Sequence, residues 1–506
     1  MDVKKGVKNI LYSILSQVIA LALGIVIPRL IITSPEYGSE TNGLLSFAHQ
    51  ALSYLALLEA GIGAAALQAM YKPIAESDKD SINGIMSATH RYYRRTGTLY
   101  FIGIIGLSFI YPLIVKSSLN YWFMAIVLFV TGIPNVINFF FQGKLKILLN
   151  AHGDNYILTN LSTITTTLAS VSKIILLVCG ANIIFVQTMY CGISLIQMIF
   201  IFAFVKKKYG WVNYKVEPNK ESLKQKSFAL IHQIAGLVTN STDVILISIF
   251  CGFEVASIYA VYNMMYNLVY NVSQSVNNGL QFVFGQKFAS DKEGYKTFIN
   301  AYETYYTALC GALMTVTYIL IIPFIRLYLS GADIDYINIW LPMLFTAVHL
   351  FNSMRNASAN TNSVAGHFKQ TSWFAIAEAG INLSLSIVGI IFLGLPGVLI
   401  GTVVAYLFRN IVDTNYANKK VLNRKNTHFI TTFIVNVSLV VGLCLISHLI
   451  NFNVGSIWLL IPIAVGVTAV CVSVFFTVNS VVDIKSFKII KARITKKFKR
   501  KSIDRA

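Results

Sequence analysis

Apolar blocks of about twenty residues alternate with short polar segments from one end of the chain to the other. Each block is long enough to cross a hydrocarbon layer of about 30 Å as an α-helix. The pattern therefore predicts an all-α polytopic membrane protein with about fourteen transmembrane helices. The predicted spans are 10–32, 44–66, 96–115, 121–142, 156–178, 183–205, 228–250, 256–280, 304–326, 337–360, 370–393, 396–416, 428–450 and 456–478.

The basic residues between these spans predict the orientation. If the N-terminus is inside, the inner loops and the two termini hold 35 of the 41 Lys and Arg residues, whereas the outer loops hold Lys116 alone. The positive-inside rule then places both termini in the cytoplasm. The first block is longer than a signal-peptide core, which favours a retained span.

The chain also carries an internal repeat. Its two halves match at an offset near 214, so that AESDKD (75–80) returns as ASDKE (289–293) and Asn138 returns as Asn352. Six spans per repeat is an even number, which predicts two parallel six-helix lobes with a substrate cleft between them. The predicted parts are an N-terminal lobe (1–205), a basic cytoplasmic linker (206–227), a second lobe (228–416), two additional helices (417–480) and a basic cytoplasmic tail (481–506).

Composition excludes several classes of protein. The charged fraction is 12% and 55% of the residues are hydrophobic, too little polar surface for a soluble chain of 506 residues. The net charge of +20 follows mainly from the basic inner loops and does not indicate nucleic-acid binding. Six cysteines without C-x-x-C spacing, scattered histidines and the lack of a phosphate-loop motif predict neither a metal site nor ATP chemistry. We therefore expect a carrier and not an enzyme, with no cofactor beyond a coupling proton or sodium ion.

Three stretches carry a resemblance to a known family. SQVIALALGIVIPRLI followed by PEYG, then LLEAGIG, resembles the polysaccharide-biosynthesis flippases of the multidrug/oligosaccharidyl-lipid/polysaccharide (MOP) exporter superfamily, and residues 232–265 are similar to the start of that family's second half. The resemblance implies two six-helix lobes, two C-terminal helices and export of a lipid-linked sugar. Lipid II flippases carry a cluster of cavity arginines, and only Arg29 fits that pattern here, so the resemblance does not specify lipid II.

Polar side chains recur along the eighth and tenth spans. Carboxamides lie on one face of the eighth span, and further asparagines surround Arg355 in the tenth. Interhelical hydrogen bonds, at about 0.6 kcal/mol each, explain one or two such residues, whereas a longer stripe favours a hydrated cleft for a glycan head group. Tyrosine rings beside the stripe suit sugar CH surfaces. The predicted cleft residues here are Asn263, Asn267, Asn271, Gln274, Asn278, Asn352, Asn356, Tyr266 and Tyr270.

Charged residues inside the spans add candidates. A diphosphate-linked lipid brings about two negative charges, for which Arg355 is the favoured partner. Arg29 is a second candidate with snorkelling as its alternative, and Arg409 is interpreted as an ordinary anchor near a span end. Glu59, Asp243 and Glu378 are candidates for ion coupling or for pairing with a basic residue.

Arg29 and Asp243 occupy equivalent positions in the two repeats, since their numbers differ by the offset of 214. We therefore hypothesise that these two residues form an ion pair that closes an outer gate.

These features together predict an alternating-access flippase for a polyprenyl-diphosphate-linked oligosaccharide in a bacterial plasma membrane. The oligosaccharide would be a repeat unit of a capsule, an O-antigen or another exopolysaccharide. The expected partners are the lipid-linked glycan, membrane lipids and polysaccharide polymerase machinery, with no nucleic acid. The alternative is a cation-coupled multidrug antiporter of the same superfamily. A membrane-embedded glycosyltransferase is disfavoured because the predicted outer loops are short.

Overall fold

The computed structural model describes residues 23–59, 62–219, 228–449, 454–488 and 491, and the regular structure within these ranges is helical. Ten of the described helices are long and apolar enough to cross a membrane, so the predicted all-α polytopic fold class is confirmed, while the count of fourteen remains a prediction. The start of the predicted first span, residues 220–227 of the linker and the end of the basic tail lie outside the described residues.

The main helices fall into two runs along the chain. The first run comprises α1 (Leu23–Ile32), α2 (Gly38–Ala56), α3 (Ile62–Ala75), α4 (Lys79–Ile114), α5 (Tyr121–Ile137), α6 (Gly143–Ala151), α7 (Asn155–Val178) and α8 (Ile183–Lys208). The second run comprises α9 (Phe228–Cys251), α10 (Phe253–Ser290), α11 (Lys292–Tyr328), α12 (Trp340–Met354), α13 (Asn356–Val364), α14 (Phe368–Leu393), α15 (Leu395–Tyr416), α16 (Thr427–Ser447) and α17 (Ile457–Val482).

Several helices extend beyond the predicted spans. The expected inner loop 67–95 is wrong, because α3 continues to Ala75 and α4 begins at Lys79. Hydropathy detects only the apolar part of a helix, and charged turns can continue the same helix into water. The start of α4 is fixed by Asp78, whose side chain accepts a hydrogen bond from the backbone N–H of Ser81 at 3.0 Å. The expected loop 281–303 is likewise mostly helical, within α10 and α11.

Two predicted spans are interrupted. Span 44–66 breaks at a 3₁₀ turn, Leu57–Glu59, and span 337–360 breaks at Arg355 between α12 and α13. A third irregularity is a π-helical segment, Asn138–Gln142, between α5 and α6. Irregular backbone within an apolar block is tolerated where neighbouring protein satisfies its polar groups, which makes these places candidate functional sites.

The helix bounds support the internal repeat. The lengths of α4 and α11 differ by one residue, and their start and end numbers differ by 213 and 214 (292 − 79 and 328 − 114). Gly38 to Ala75, which covers α2 and α3, corresponds to the single helix α10, with both ends offset by 215 (253 − 38 and 290 − 75). Asp78 caps α4 and Asp291 caps α11, each through its side chain.

The chain divides into two compact units. Unit 1 contains Met1–Ala260 with Gly331–Ile334, and unit 2 contains Val261–Ser330 with Asp335–Ala506. The core of unit 1 is apolar and aromatic, and Tyr93, Tyr100 and Phe139 are its largest fully buried members. The lobe boundaries expected at 205 and 228 remain predictions.

In unit 2, α16 and α17 pack on α11. A Cβ added at Gly311 of α11 would lie 2.4 Å from the ring of Phe475, so the ring occupies the space that glycine leaves. Asn436 and Asn479 exchange two hydrogen bonds of 3.0 Å between α16 and α17, and both are buried. The two C-terminal helices are therefore fixed to unit 2 by close packing and by a paired amide contact.

Candidate functional site

A buried group of charges lies in unit 2 where α12 ends. Arg355 occupies the break between α12 and α13, and its Nη1 lies 3.3 and 3.4 Å from the two carboxylate oxygens of Glu378 on α14. The Arg355 side chain is 24% exposed, whereas Glu378 is 6% exposed. The Arg355 Nε is buried and makes no hydrogen bond to the described residues. Arg355 is thus held through Nη1, while its Nε is left without a partner among the described residues.

Arg409 of α15 completes this group. Its Nη1 donates to Glu378 at 2.7 Å, and its Nε donates to Asp413 at 2.7 Å, one helical turn further along α15. Arg409 and Asp413 are 7% and 3% exposed. The interpretation of Arg409 as a surface anchor is wrong, because its guanidinium lies inside unit 2. Two arginines and two carboxylates give the group no formal net charge, as expected for ionised groups away from water.

Amides fix the backbone around the break. Asn410 donates to the carbonyl of Phe351 at 2.6 Å, which joins α15 to the end of α12. Asn356 donates to the hydroxyl of Tyr306 at 2.8 Å and so joins α13 to α11. Asn352 is half-buried in the last turn of α12. Side chains of α15 and α11 therefore hold the two helices on either side of the break.

The carboxamide stripe of α10 changes character along its length. Asn263 and Asn267 are half-buried, and Asn267 donates to Asn263 at 2.8 Å. Asn271 and Asn278 are exposed, with Gln274 half-buried between them. The first two residues therefore satisfy each other, and the accessible carboxamides lie toward the C-terminal half of α10.

Asn277, which the sequence interpretation did not single out, is the buried centre of this half of the helix. Its Oδ1 accepts hydrogen bonds from Tyr302 at 2.6 Å and from Asn360 at 2.7 Å. Its Nδ2 donates to Gln274 at 3.3 Å. The sequence signal was its polarity three residues after Gln274, which places it beside the carboxamide stripe on the same side of α10.

The two tyrosines predicted to line the cleft differ in their burial. Tyr266 is 0% exposed, and its hydroxyl contacts the Pro342 carbonyl at 2.8 Å and the Thr346 hydroxyl at 3.0 Å. Its prediction as a cleft residue is wrong for this conformation, because the ring packs inside unit 2 against Phe345. Tyr270 is half-buried, and the charge of Arg355 acts on its hydroxyl. Tyr270 thus lies beside the charged group.

Glu59 belongs to a separate polar cluster in unit 1. It lies in the 3₁₀ turn after α2, where it accepts hydrogen bonds from the Tyr93 hydroxyl and, at 3.5 Å, from Asn138. Lys146 of α6 donates to Asn138 at 2.7 Å. This cluster joins the break in α2 to the π-helical segment, so Glu59 is bound by neutral donors with a lysine close by.

The remaining acidic candidate is Asp243 of α9. It is 2% exposed and accepts a hydrogen bond from Tyr259 at 3.1 Å. Arg29 is half-buried near the end of α1, where Thr33 donates to its backbone carbonyl. The proposed ion pair between Arg29 and Asp243 remains a prediction. In the part of the chain that the structure describes, no group of three or more His, Cys, Asp and Glu side chains is arranged to hold a metal ion.

Solved structures share this arrangement of helices. The lipid II flippase MurJ in an inward closed conformation is similar at a TM-score of 0.70 and 15% identity, over 94% of this chain and 100% of its own. An inward-facing multidrug resistance MATE family transporter of the MOP superfamily is similar at a TM-score of 0.57 and 13% identity, over 80% of this chain and 96% of its own. MATE in complex with MaD3S is similar at a TM-score of 0.53 and 12% identity, over 80% of this chain and 93% of its own. No protein-family model and no curated protein matches the chain. The chain therefore has the fold of these transporters.

Proposed function

We propose that this protein is an alternating-access flippase, which moves a polyprenyl-diphosphate-linked oligosaccharide from the cytoplasmic to the outer leaflet of a bacterial plasma membrane. The head group crosses through a hydrated polar region while the polyprenyl tail stays in lipid. The chain itself makes and breaks no covalent bond. Lobes that alternate between two arrangements carry out the movement, as expected for repeat-built transporters.

Arg355 is the observation that carries the proposal. A guanidinium is suited to bind phosphate oxygens, since its donors form a planar fork. The Arg355 side chain is 24% exposed, and Glu378 binds only its Nη1 at distances above 3.2 Å. A diphosphate arriving there would meet a cation that is positioned but incompletely hydrogen-bonded. Because the cation is already in position, little reorganisation is needed when the diphosphate binds.

The neighbouring side chains suit the sugar part of the head group. Asn271 and Asn278 are exposed on α10, and carboxamides can donate to and accept from hydroxyl groups. Tyr270, half-buried beside Arg355, presents a ring and a hydroxyl within the same region. A diphosphate next to a glycan would thus meet a cation next to amides and an aromatic ring.

The fold supports the same class of activity. Over 94% of its length this chain has the fold of MurJ, a protein named as a lipid II flippase. Movement against a gradient needs a coupling proton or sodium ion, for which Glu59 and Asp243 are the candidates. Polysaccharide polymerase machinery is the proposed downstream partner.

The test is made in cells that lack the gene. Lipids are extracted and the leaflet that holds each lipid-linked glycan is determined with a membrane-impermeant reagent. Accumulation of one diphosphate-linked oligosaccharide on the cytoplasmic face, relieved by wild type but not by Arg355→Ala, is expected. Arg326→Ala is the matched control, because Arg326 is an exposed arginine near the end of α11. Normal lipid-linked glycans in the deleted cells would overturn the proposal.

The alternative is a cation-coupled multidrug antiporter, which the likeness to MATE transporters supports equally at the level of the fold. It predicts that deletion increases sensitivity to cationic dyes and leaves lipid-linked glycans unchanged. The partly accessible Arg355 disfavours this function, since a cation would repel such cargo.

A further inference from the structure

Helix α4 of unit 1 carries a basic surface. Six consecutive residues of α4 include His90, Arg91, Arg94 and Arg95, which at 100° per residue fall on one side of the helix. The three arginines are exposed. Tyr93 points away from them, toward Glu59.

Lys144 of α6 joins this surface. Its Nζ lies 2.8 Å from His90 Nδ1 and 5.3 Å from the ring centroid of Tyr214. The charges of Lys144, Arg94 and Arg91 all act on His90. We call His90, Arg91, Arg94 and Lys144 the α4 basic cluster. It gathers four basic side chains from two helices at one place.

Among the described residues, no carboxylate forms an ion pair with a member of the cluster. Ion pairs in the described part of unit 1 join Lys72 to Glu76 and Lys208 to Asp154, and none involves a member of the α4 basic cluster. Glu59 is bound instead by Tyr93, on the other side of α4. Arg91, Arg94 and Lys144 are like charges that repel one another, so an anion bound among them would be stabilised.

At the helix position equivalent to His90, the second repeat carries an acidic residue. His90 lies twelve residues after the capping Asp78, and Glu303 lies twelve residues after the capping Asp291 (90 − 78 and 303 − 291). Glu303 is 3% exposed, and both Arg424 and His428 bond to it at 3.0 Å. In the second repeat the residue at this helix position is thus an acid that pairs with basic residues beyond α15, whereas in the first repeat it is a histidine beside Lys144.

We propose that the α4 basic cluster is a phosphate-binding site, which an anion carried by a lipid occupies in place of the carboxylate that the second repeat supplies. The positive-inside rule places this end of α4 in the cytoplasm. The inference rests on the proposed function for the identity of the lipid, where the cluster is the first contact of the substrate diphosphate. An ordinary anionic phospholipid is the other source of the same chemistry.

The key variant is His90→Glu, which places the acid of the second repeat into the first. The control is Lys419→Glu, which also replaces a basic residue by glutamate, at an exposed position beyond α15. Arg94→Gln is a second variant, since it removes an exposed cation and leaves the contact between Lys144 and His90 in place. Inorganic pyrophosphate is titrated calorimetrically into the purified full-length protein in a neutral detergent. We expect His90→Glu and Arg94→Gln to weaken binding about tenfold, and Lys419→Glu to leave it unchanged.

Nanodiscs distinguish the two lipid sources. One set contains phosphatidylcholine with a small fraction of polyprenyl diphosphate, and the other contains phosphatidylcholine with phosphatidylglycerol. If His90→Glu loses retention of polyprenyl diphosphate but not of phosphatidylglycerol, the site belongs to the substrate. If His90→Glu loses retention of phosphatidylglycerol, the site belongs to a phospholipid. Equal pyrophosphate affinity in wild type and His90→Glu would overturn the inference. That result leaves the proposed function intact, because accumulation of the cytoplasmic glycan is measured separately in cells.

Discussion

Arg409 Nη1 lies 2.7 Å from Oε2 of Glu378, and the two side chains are only 7% and 6% exposed. The same carboxylate contacts Arg355 through both of its oxygens. Arg409 therefore holds the carboxylate that in turn positions Arg355. Arg409 is therefore a buried structural arginine, whereas Arg355 remains partly exposed.

Glu378→Gln is expected to destabilise the protein by about 3–5 kcal/mol, because it leaves Arg409 buried beside Asp413 alone and Arg355 without its carboxylate. Thermal unfolding of the purified protein in detergent measures the effect. Glu293→Gln is the control, since Glu293 is 82% exposed and pairs only with the nearby Lys296. An equal, small shift in both variants would show that the buried pair does not stabilise unit 2.

Arg355→Ala is expected to lower glycan export at least tenfold while changing the free energy of unfolding by roughly 1 kcal/mol. The physical reason is its 24% exposure and its long contacts to Glu378, both of which indicate a modest structural contribution. Export in complemented cells and thermal unfolding are measured on the same variant. A large loss of stability with export in proportion to the surviving protein would assign Arg355 a structural role.

Gly389→Ala is expected to destabilise unit 2 by roughly 1–3 kcal/mol. A Cβ at Gly389 of α14 would lie 2.4 Å from the carbonyl oxygen of Gly397 on α15, so the two backbones meet without space for a methyl group. Gly380→Ala on the same helix is the control, because nothing lies within 4 Å of its added Cβ. Thermal unfolding should separate the two variants, and equal midpoints would contradict the close approach of α14 and α15.

Asp483 gives a prediction about pH. Burial alone would raise the pKa of Asp483, but hydrogen bonds from His428, Ser486 and Thr304 hold it below its usual value. A carboxyl whose pKa is lower in the folded state contributes stability above its unfolded pKa of about 3.9, and that contribution is lost as the pH falls further. The difference in unfolding midpoint between wild type and Asp483→Asn should therefore be full near neutral pH and shrink below about pH 4. A difference that does not change with pH would contradict the charged contact with His428.

Hydropathy and internal similarity were sufficient to predict the fold class and the repeat. Both features depend on long stretches of apolar residues and on the order of elements, which the bilayer imposes strongly. The ends of α4 and α11 were missed because a helix outside the bilayer carries ordinary polar residues. The break at Arg355 was missed as well, since the surrounding asparagines continue the helical spacing without a proline or glycine.

Contacts between helices distant in sequence were the hardest to predict. Arg409 and Asp413 are one turn apart, which suggests a local pair, but their burial depends on how α14 and α15 pack. Tyr266 lies beside the polar stripe in sequence, yet the rotation of α10 turns its ring into the core. Periodicity defines a face of a helix, and only tertiary packing decides whether that face meets protein, water or lipid.

Reconstituted transport tests directly whether the protein moves a polyprenyl-diphosphate-linked oligosaccharide from one leaflet to the other. The purified chain is placed in proteoliposomes with a fluorescent polyprenyl-diphosphate oligosaccharide, and an impermeant reductant reports how much label reaches the outer leaflet under a proton or a sodium gradient. We expect transfer faster than in protein-free vesicles for wild type and Arg326→Ala, and near the protein-free rate for Arg355→Ala. Wild-type transfer no faster than in protein-free vesicles under either gradient would contradict it.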